Sequence, residues 1–293
     1  MTQSNADVDS SRSVPDPARE GWSLWASQLA ALLGIEVRRT LLGRRSLPLY
    51  LLAGFPVLLF FLLIIVDSDG SPWIFRNWSE AQEIYANIFD ALILRTMLFF
   101  GCAWIFMNLF RGEIIDQSLH YYFLAPLRRE VLLIGKYLAG LVVTVCLFSF
   151  STLGSLFFFY YGRGYPANVE HLLGEGGWRV VLAYESITLL GCLGYGAIFL
   201  IVGLFFRNPI LPALFVYGWE WLNFLLPPLL KRISIVHYLE SQLPVQIEEG
   251  PFVTVVAATP FWVSLLGLLV FVGLLLLGGA RRIRSVEVKA LDA

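Results

Sequence analysis

Long apolar runs alternate with short polar ones along most of this chain, and each run is close to or longer than the ~20 residues a helix needs to cross a bilayer. They fall at about Leu47–Val66, Ile88–Phe110, Val131–Tyr161, Val180–Phe206, Ile210–Leu230 and Val255–Ala280. Ahead of them, Trp22 to Leu42 repeats with a helical period: Trp22, Trp25, Ala26, Leu29, Leu32, Leu33 and Val37 share one side, and Ser23, Ser27, Gln28 and Arg38 lie opposite. Polar residues interrupt that stretch too often for it to span, so it predicts an amphipathic helix lying in the membrane interface. Glu36 falls on its apolar stripe, where it either snorkels to water or meets a cation from a neighbouring loop.

These elements predict an all-α, polytopic membrane protein: six transmembrane helices preceded by an N-terminal interfacial amphipathic helix. The expected divisions are a disordered cytoplasmic tail over 1–20, the interfacial helix over 21–45, the six-helix domain over 46–281 and a second cytoplasmic tail over 282–293. The first tail is polar, contains Pro and Ser, and lacks the apolar core of a signal peptide, so no cleavage is expected.

Composition agrees with the pattern. The 293 residues are 57% hydrophobic and 15% charged, with mean hydropathy +0.70, against roughly 45–50% apolar and 25% charged in soluble domains. A net charge of −1 gives no field for nucleic acid, so no nucleic-acid partner is expected. The informative quantity is where the cations sit. Arg38, Arg39, Arg44, Arg45, Arg111, Arg128, Arg129, Lys136, Arg207, Arg281, Arg282 and Arg284 fall on the side of the termini, whereas Arg76, Arg163, Arg179, Lys231 and Arg232 fall opposite. The positive-inside rule then places both termini in the cytoplasm and the chain, multi-pass, in the inner (plasma) membrane. The last outer loop, Lys231–Thr254, is amphipathic enough to dip back into the membrane.

The sequence offers little chemistry. Cys102, Cys146 and Cys192 all sit in apolar runs and read as small buried hydrophobes, and His120, His171 and His237 have no second ligand at metal spacing. No H-E-x-x-H or G-x-S-x-G occurs, and the one Gly-Lys pair, Gly135-Lys136, is followed by Tyr137 and has Glu130 where a phosphate loop needs its first glycine. No catalytic residue, metal or cofactor is therefore assigned to the chain. Energy for active work has to come from a partner or an ion gradient.

The charged island Arg111–Lys136 is the most informative stretch. Its inner part, Glu113–Leu124, contains neither Gly nor Pro and stops before Pro126, which predicts a short helix. That helix exposes Ile114, Ile115, Tyr121, Tyr122 and Phe123 beside Glu113 and Asp116, a mix of aromatic anchors and polar rim suited to a protein interface. The same aromatics also suit the headgroup belt, and Arg128 and Arg129 also suit plain positive-inside anchors.

With the amphipathic helix, the six spans, and an island reading Arg111-Gly112-Glu113, Ser118-Leu119, Pro126-Leu127-Arg128-Arg129 and Gly135-Lys136, the chain resembles the permease subunit of ABC-2 type exporters. Gln117-Ser118 stands where that family usually has Gly-Thr. The resemblance implies that 111–136 is a coupling loop docking into a separate ABC ATPase subunit, which would bind ATP and Mg. It also implies a second permease copy, with the translocation path between the two copies and the membrane lipids around them. Gly135, Gly140, Gly191, Gly194, Gly196, Gly267 and Gly273 could serve such a contact, or packing within one copy. The rival readings are an ion-gradient transporter resting on Glu185 and Glu220, and a non-transporting membrane anchor of a complex.

Arg95, Glu185 and Glu220 lie inside spans. Arg95 and Glu185 fall at similar depth from the outer side, which predicts an ion pair between them. Glu220 falls near the midplane between Trp219 and Trp221, so it is expected to face a protein-lined path, to be protonated, or to be hydrogen-bonded between helices.

Overall fold

The structure, a computed structural model, describes residues 17–43, 46–67, 77–115, 129–162, 164, 167–174, 176–206, 208–231, 233–245 and 259–284. Every regular element among them is helical. Helix α1 is Pro17–Leu42 and α2 is Leu47–Asp67. A continuous helical rod follows, made of α3 (Trp78–Ile88), a π-helical segment (Phe89–Leu98) and α4 (Phe99–Ile115). Next come α5 (Arg129–Gly162), the short α6 (Ala167–Leu173) and α7 (Gly177–Phe205). An interrupted segment holds α8 (Ile210–Trp221), a 3-10 turn (Leu222–Leu225), α9 (Pro228–Lys231) and α10 (Ile235–Glu240). The last element is α11, Phe261–Arg284.

Five of these helices are long and apolar enough to cross a membrane: Leu47–Val66, Trp78–Phe110, Glu130–Gly162, Gly177–Phe205 and Phe261–Ile283. The expected sixth, Ile210–Leu230, is not one span. Its helix stops at Trp221 after 12 residues, about 18 Å of rise against roughly 30 Å of hydrocarbon. The cause is local: Pro227 bars the α-conformation from Leu226, which is extended at φ −74°, ψ 146°, and Pro228 follows at once.

The chain still changes ends over this segment. A side chain at Gly194 would meet Leu268, and one at Gly279 would meet Ile201 and Leu133. Later residues of α11 thus lie beside later residues of α7, so the two helices run in the same direction, and 206–260 must carry the chain from one end of the bundle to the other. We call the end holding α1, the start of α5 and the end of α11 basal, and the other distal.

Other boundaries move as well. The expected outer loop Asp67–Asn87 is helical from Trp78, because Ala81, Tyr85 and Phe89 make a stripe at four-residue spacing, buried against Phe159 and Tyr184. Low hydropathy hid that stripe. The loop Gly162–Arg179 contains α6, the last helix starts at Phe261 rather than Val255, and it runs through Arg282 to Arg284, where a tail was expected. Cys102 and Cys192 are buried, but Cys146 is exposed on the outer side of α5. An apolar residue in such a bundle faces lipid as readily as core.

The core lies between α4, α5 and α7. Gly203 lets α4 come close: a Cβ there would stand 2.9 Å from the Met107 Cα. Gly196 likewise makes room for the Phe106 ring, and Gly140 for Phe106 and Leu109. Gly135, Gly140, Gly191, Gly194 and Gly196 are thus all used within one copy, whereas Gly267 and Gly273 meet nothing within 4 Å. Helix α1 packs along α5, with Leu32 filling the space that Gly135 leaves.

Candidate functional site

Arg95 lies in the π-helical segment, at mid-length of the rod Trp78–Phe110. A π-helix pairs residues five apart, so Asp90 and Arg95 come onto one face, which an α-helix would not do. Arg95 Nε donates to Asp90 Oδ2 at 2.8 Å. Its Nη1 donates to the Glu220 backbone carbonyl at 3.0 Å, and its Nη2 pairs with Glu240. One guanidinium therefore holds its own helix, the last turn of α8 and the end of α10. This fork of donors in a fixed plane is what an arginine supplies and a lysine does not.

The Glu220 side chain, 4% exposed, meets a different set of donors. Ser234 Oγ donates to Oε2 at 2.7 Å and Tyr195 Oη at 3.3 Å; the backbone N–H groups of Val236 and Ile235 donate at 3.0 and 3.2 Å. The carboxylate so caps the first turn of α10, whose opening N–H groups have no intrahelical partner. α10 is pinned at both ends, by Glu220 at its start and by Arg95 through Glu240 at its finish. This replaces the backbone pairing that the broken helix lost.

The predicted pair of Arg95 with Glu185 does not form. Arg95 is engaged by Asp90 and Glu240, and Glu185 Oε2 is buried with no hydrogen-bond partner among the described residues. Depth counted along a sequence cannot see rotation about the helix axis, and the π segment changes that rotation. For Glu220, the structure places it hydrogen-bonded between helices, one of the three expected situations.

A second buried charge pair closes the basal end. Lys136 Nζ, with its side chain 0% exposed, donates to Glu36 Oε1 at 2.7 Å and to the Leu109 carbonyl at 2.9 Å, and sits 5.3 Å from the centre of the Phe110 ring. Glu36 thus meets a cation rather than reaching water. The pair joins α1, α4 and α5 at one point. Glu113 and Arg129 occupy the last turn of α4 and the first residue of α5. Asp116, Tyr121, Tyr122, Phe123 and Arg128 lie outside the described residues, as do most of the expected coupling helix, whose first residues Glu113–Ile115 continue α4, and most of both tails.

Sequence reasoning did not find Glu240 or the role of Asp90. Glu240 was hidden in a stretch read as loop, and Asp90 stands at a spacing from Arg95 that only a π turn makes useful. Among the described residues no three His, Cys, Asp or Glu side chains come together in a way that could hold a metal ion. What the arrangement does chemically is hold charge and position, and among the described residues it sets no nucleophile or acid–base pair over a cleft. No family model, curated protein or solved structure matches the chain.

Proposed function

We propose that this chain is the membrane-spanning permease subunit of an ABC-type exporter, forming the translocation path and coupling to a separate ATP-hydrolysing subunit through loop 111–136. The observation that carries the reading is the Glu36–Lys136–Leu109 junction. A loop that receives force from a partner needs a rigid base. Here the helices entering and leaving the loop are fastened to each other and to α1 by one fully buried ammonium, six residues from the start of the α5 span at Glu130. The absence of a nucleotide motif, the aromatic and charged residues of the loop, and the resemblance to ABC-2 permeases support the same assignment. The cation distribution then puts the basal end in the cytoplasm of the inner (plasma) membrane.

Two copies are expected in the complex. Of the seven glycines named from the sequence, Gly267 and Gly273 on α11 have open space beside them and are free for a contact between copies. An ion-gradient mechanism resting on Glu220 has less support, because that carboxylate's four donors leave it little capacity to take up a cation. The test is purification from native membranes. The chain should bring down an ATPase whose activity changes on association, and Glu113→Arg or the pair Tyr121→Ala and Tyr122→Ala should release or uncouple it while insertion is kept. ATP hydrolysis by the purified chain alone would overturn the proposal, as would full transport with no ATPase bound.

A further inference from the structure

A cavity opens at the distal end between α5, α6 and α7. It holds about 410 Å³, within the roughly 300–1,000 Å³ that small-molecule sites occupy. Its walls include Leu153, Leu156 and Phe157 of α5, Leu172 and Leu173 of α6, and Val181 of α7. Phe157 and Leu173 are exposed on the outside of the bundle, so the cavity opens sideways to where acyl chains lie.

Its α7 wall continues into a charge. Val181, Glu185 and Thr188 stand four and three residues apart and so share one face of α7. Val181 lines the cavity, and Thr188 meets Thr152 of α5 hydroxyl to hydroxyl at 2.9 Å. Glu185 is therefore held between those two contacts, on the side of α7 that faces α5. It lies eight residues into the span that begins at Gly177, about 12 Å of rise. Leu153, at the inner end of the cavity, lies nine residues before the α5 span ends at Gly162, and so at a matching depth. A helical side chain covers the turn N-terminal to its own Cα, so the Glu185 carboxyl leans toward Val181 and the cavity.

That carboxyl has neither a cation nor a donor. Its Oε2 is buried without a hydrogen-bond partner, and no ion pair reaches it among the described residues. Arg179, the nearest cation along α7, is exposed and lies over the Trp178 ring, 5.5 Å from its centre. The hydroxyls at this level are engaged elsewhere: Tyr85 with Ser155, Ser155 with the Thr152 carbonyl, and Thr188 with Thr152 and the Tyr184 carbonyl. Asp90, Glu220 and Glu240, by contrast, are each bonded to Arg95 or to backbone N–H groups. A carboxylate left bare at this depth is costly, and beside a cavity it marks a place where a cation from outside the chain would be stabilised.

We propose that this cavity binds a lipophilic cation from the membrane, with its apolar body beneath α6 and its positive charge against Glu185. The apolar walls supply the contact area and the carboxylate selects the sign of the charge, as one well-placed polar group does in an apolar small-molecule site. The site rests on the membrane reading alone and stands apart from the ATPase assignment, so either can fail without the other.

The experiment uses the full chain in nanodiscs of dioleoyl phosphatidylcholine. Tetraphenylphosphonium and tetraphenylborate, ions of the same shape and opposite charge, are measured by equilibrium dialysis, with uptake by empty nanodiscs subtracted. The wild-type chain should bind the phosphonium saturably and in preference to the borate. Glu185→Gln should weaken the phosphonium about tenfold, the scale of one charge contact at a protein-like dielectric. The same variant should hold or raise borate binding, which a chain that had merely unfolded would not do. Val181→Phe, which narrows the cavity and keeps the carboxylate, should weaken the phosphonium as well. Glu83→Gln, which removes an exposed carboxylate of α3 at the distal end, should leave it unchanged. Equal binding of the two ions overturns the proposal and marks a cavity that takes apolar groups of any charge. An equal effect of Glu185→Gln and Glu83→Gln overturns it too, and so does full phosphonium binding by Val181→Phe.

Discussion

Removing Lys136 should cost more stability than any exposed substitution in this protein. Its ammonium is fully buried and Glu36 is 3% exposed, so the pair is out of reach of water. In Lys136→Met the Glu36 carboxylate stays in that environment with no cation, a state worth about 3–5 kcal/mol of destabilisation. The Leu109 carbonyl loses a second donor only, which matters less because a carbonyl keeps another lone pair for its helix. Glu36→Leu leaves the ammonium stranded and should cost a similar amount. The double change, Glu36→Leu with Lys136→Met, removes both charges and replaces them with side chains of similar volume, and should fall within about 1 kcal/mol of wild type. The coupling between the two positions is then at least about 5 kcal/mol, well beyond what independent sites show. Unfolding by SDS titration in mixed micelles, followed by far-ultraviolet circular dichroism, measures all four proteins. If the double variant is as unstable as the two singles added together, the pair is not what joins α1 to the bundle.

Three further outcomes follow from contacts already described. Arg95→Leu should lower stability by about 3–5 kcal/mol in the same titration by stranding Asp90 and Glu240, and Arg95→Lys should recover little, because an ammonium cannot reach three acceptors set for a planar fork. Glu220→Gln turns one acceptor oxygen into a donor facing the N–H groups of α10, so amide exchange at Ile235 and Val236 should speed up while α7 is unaffected; unchanged exchange would remove Glu220 as the cap. Gly203→Ala should destabilise by about 1–3 kcal/mol because its Cβ would press on the Met107 backbone, whereas Gly267→Ala, with nothing within 4 Å, should be neutral or gain about 0.5–1 kcal/mol.

The long spans were legible in the sequence because membrane burial demands continuous apolar residues, and five of the expected six agree with the structure over most of their length. Glu36 was legible as an anomaly, a carboxylate on an apolar stripe, and its cation proved to be Lys136. Two kinds of feature escaped. Helices that extend past the hydrocarbon, such as Trp78–Asn87, carry polar residues that lower hydropathy without disturbing the helix. Polar networks were misassigned wherever the helix phase changed: counting residues placed Arg95 level with Glu185, but a π segment and a broken helix decide which side chains face each other. The Pro227-Pro228 pair was in plain view, yet the apolar residues on both sides of it outweighed it in a span count.

The interrupted crossing also differs from its neighbours in what holds it. Helix α7 buries residues along its whole length, from Gly177 to Gly203, so its position is set by many apolar contacts that cannot be exchanged singly. Helix α8 buries only Ala213 and Glu220. The segment beyond it is fixed by the Arg95 fork, the Glu220 cap and the packing of Ile235, Val236 and Leu239 against its neighbours. Few apolar contacts and several polar pins make an element that can move as a unit once the pins let go, while the rest of the bundle stays packed. On the permease reading proposed above, this is the segment best suited to open and close a path. Arg95 is placed to govern it, because one side chain touches the end of α8, the end of α10 and the rod that leads down to the basal loop. The same rod is fastened below by Lys136 through the Leu109 carbonyl. A shift imposed at the loop would therefore reach the Arg95 fork along a single continuous helix, with no second element needed to carry it.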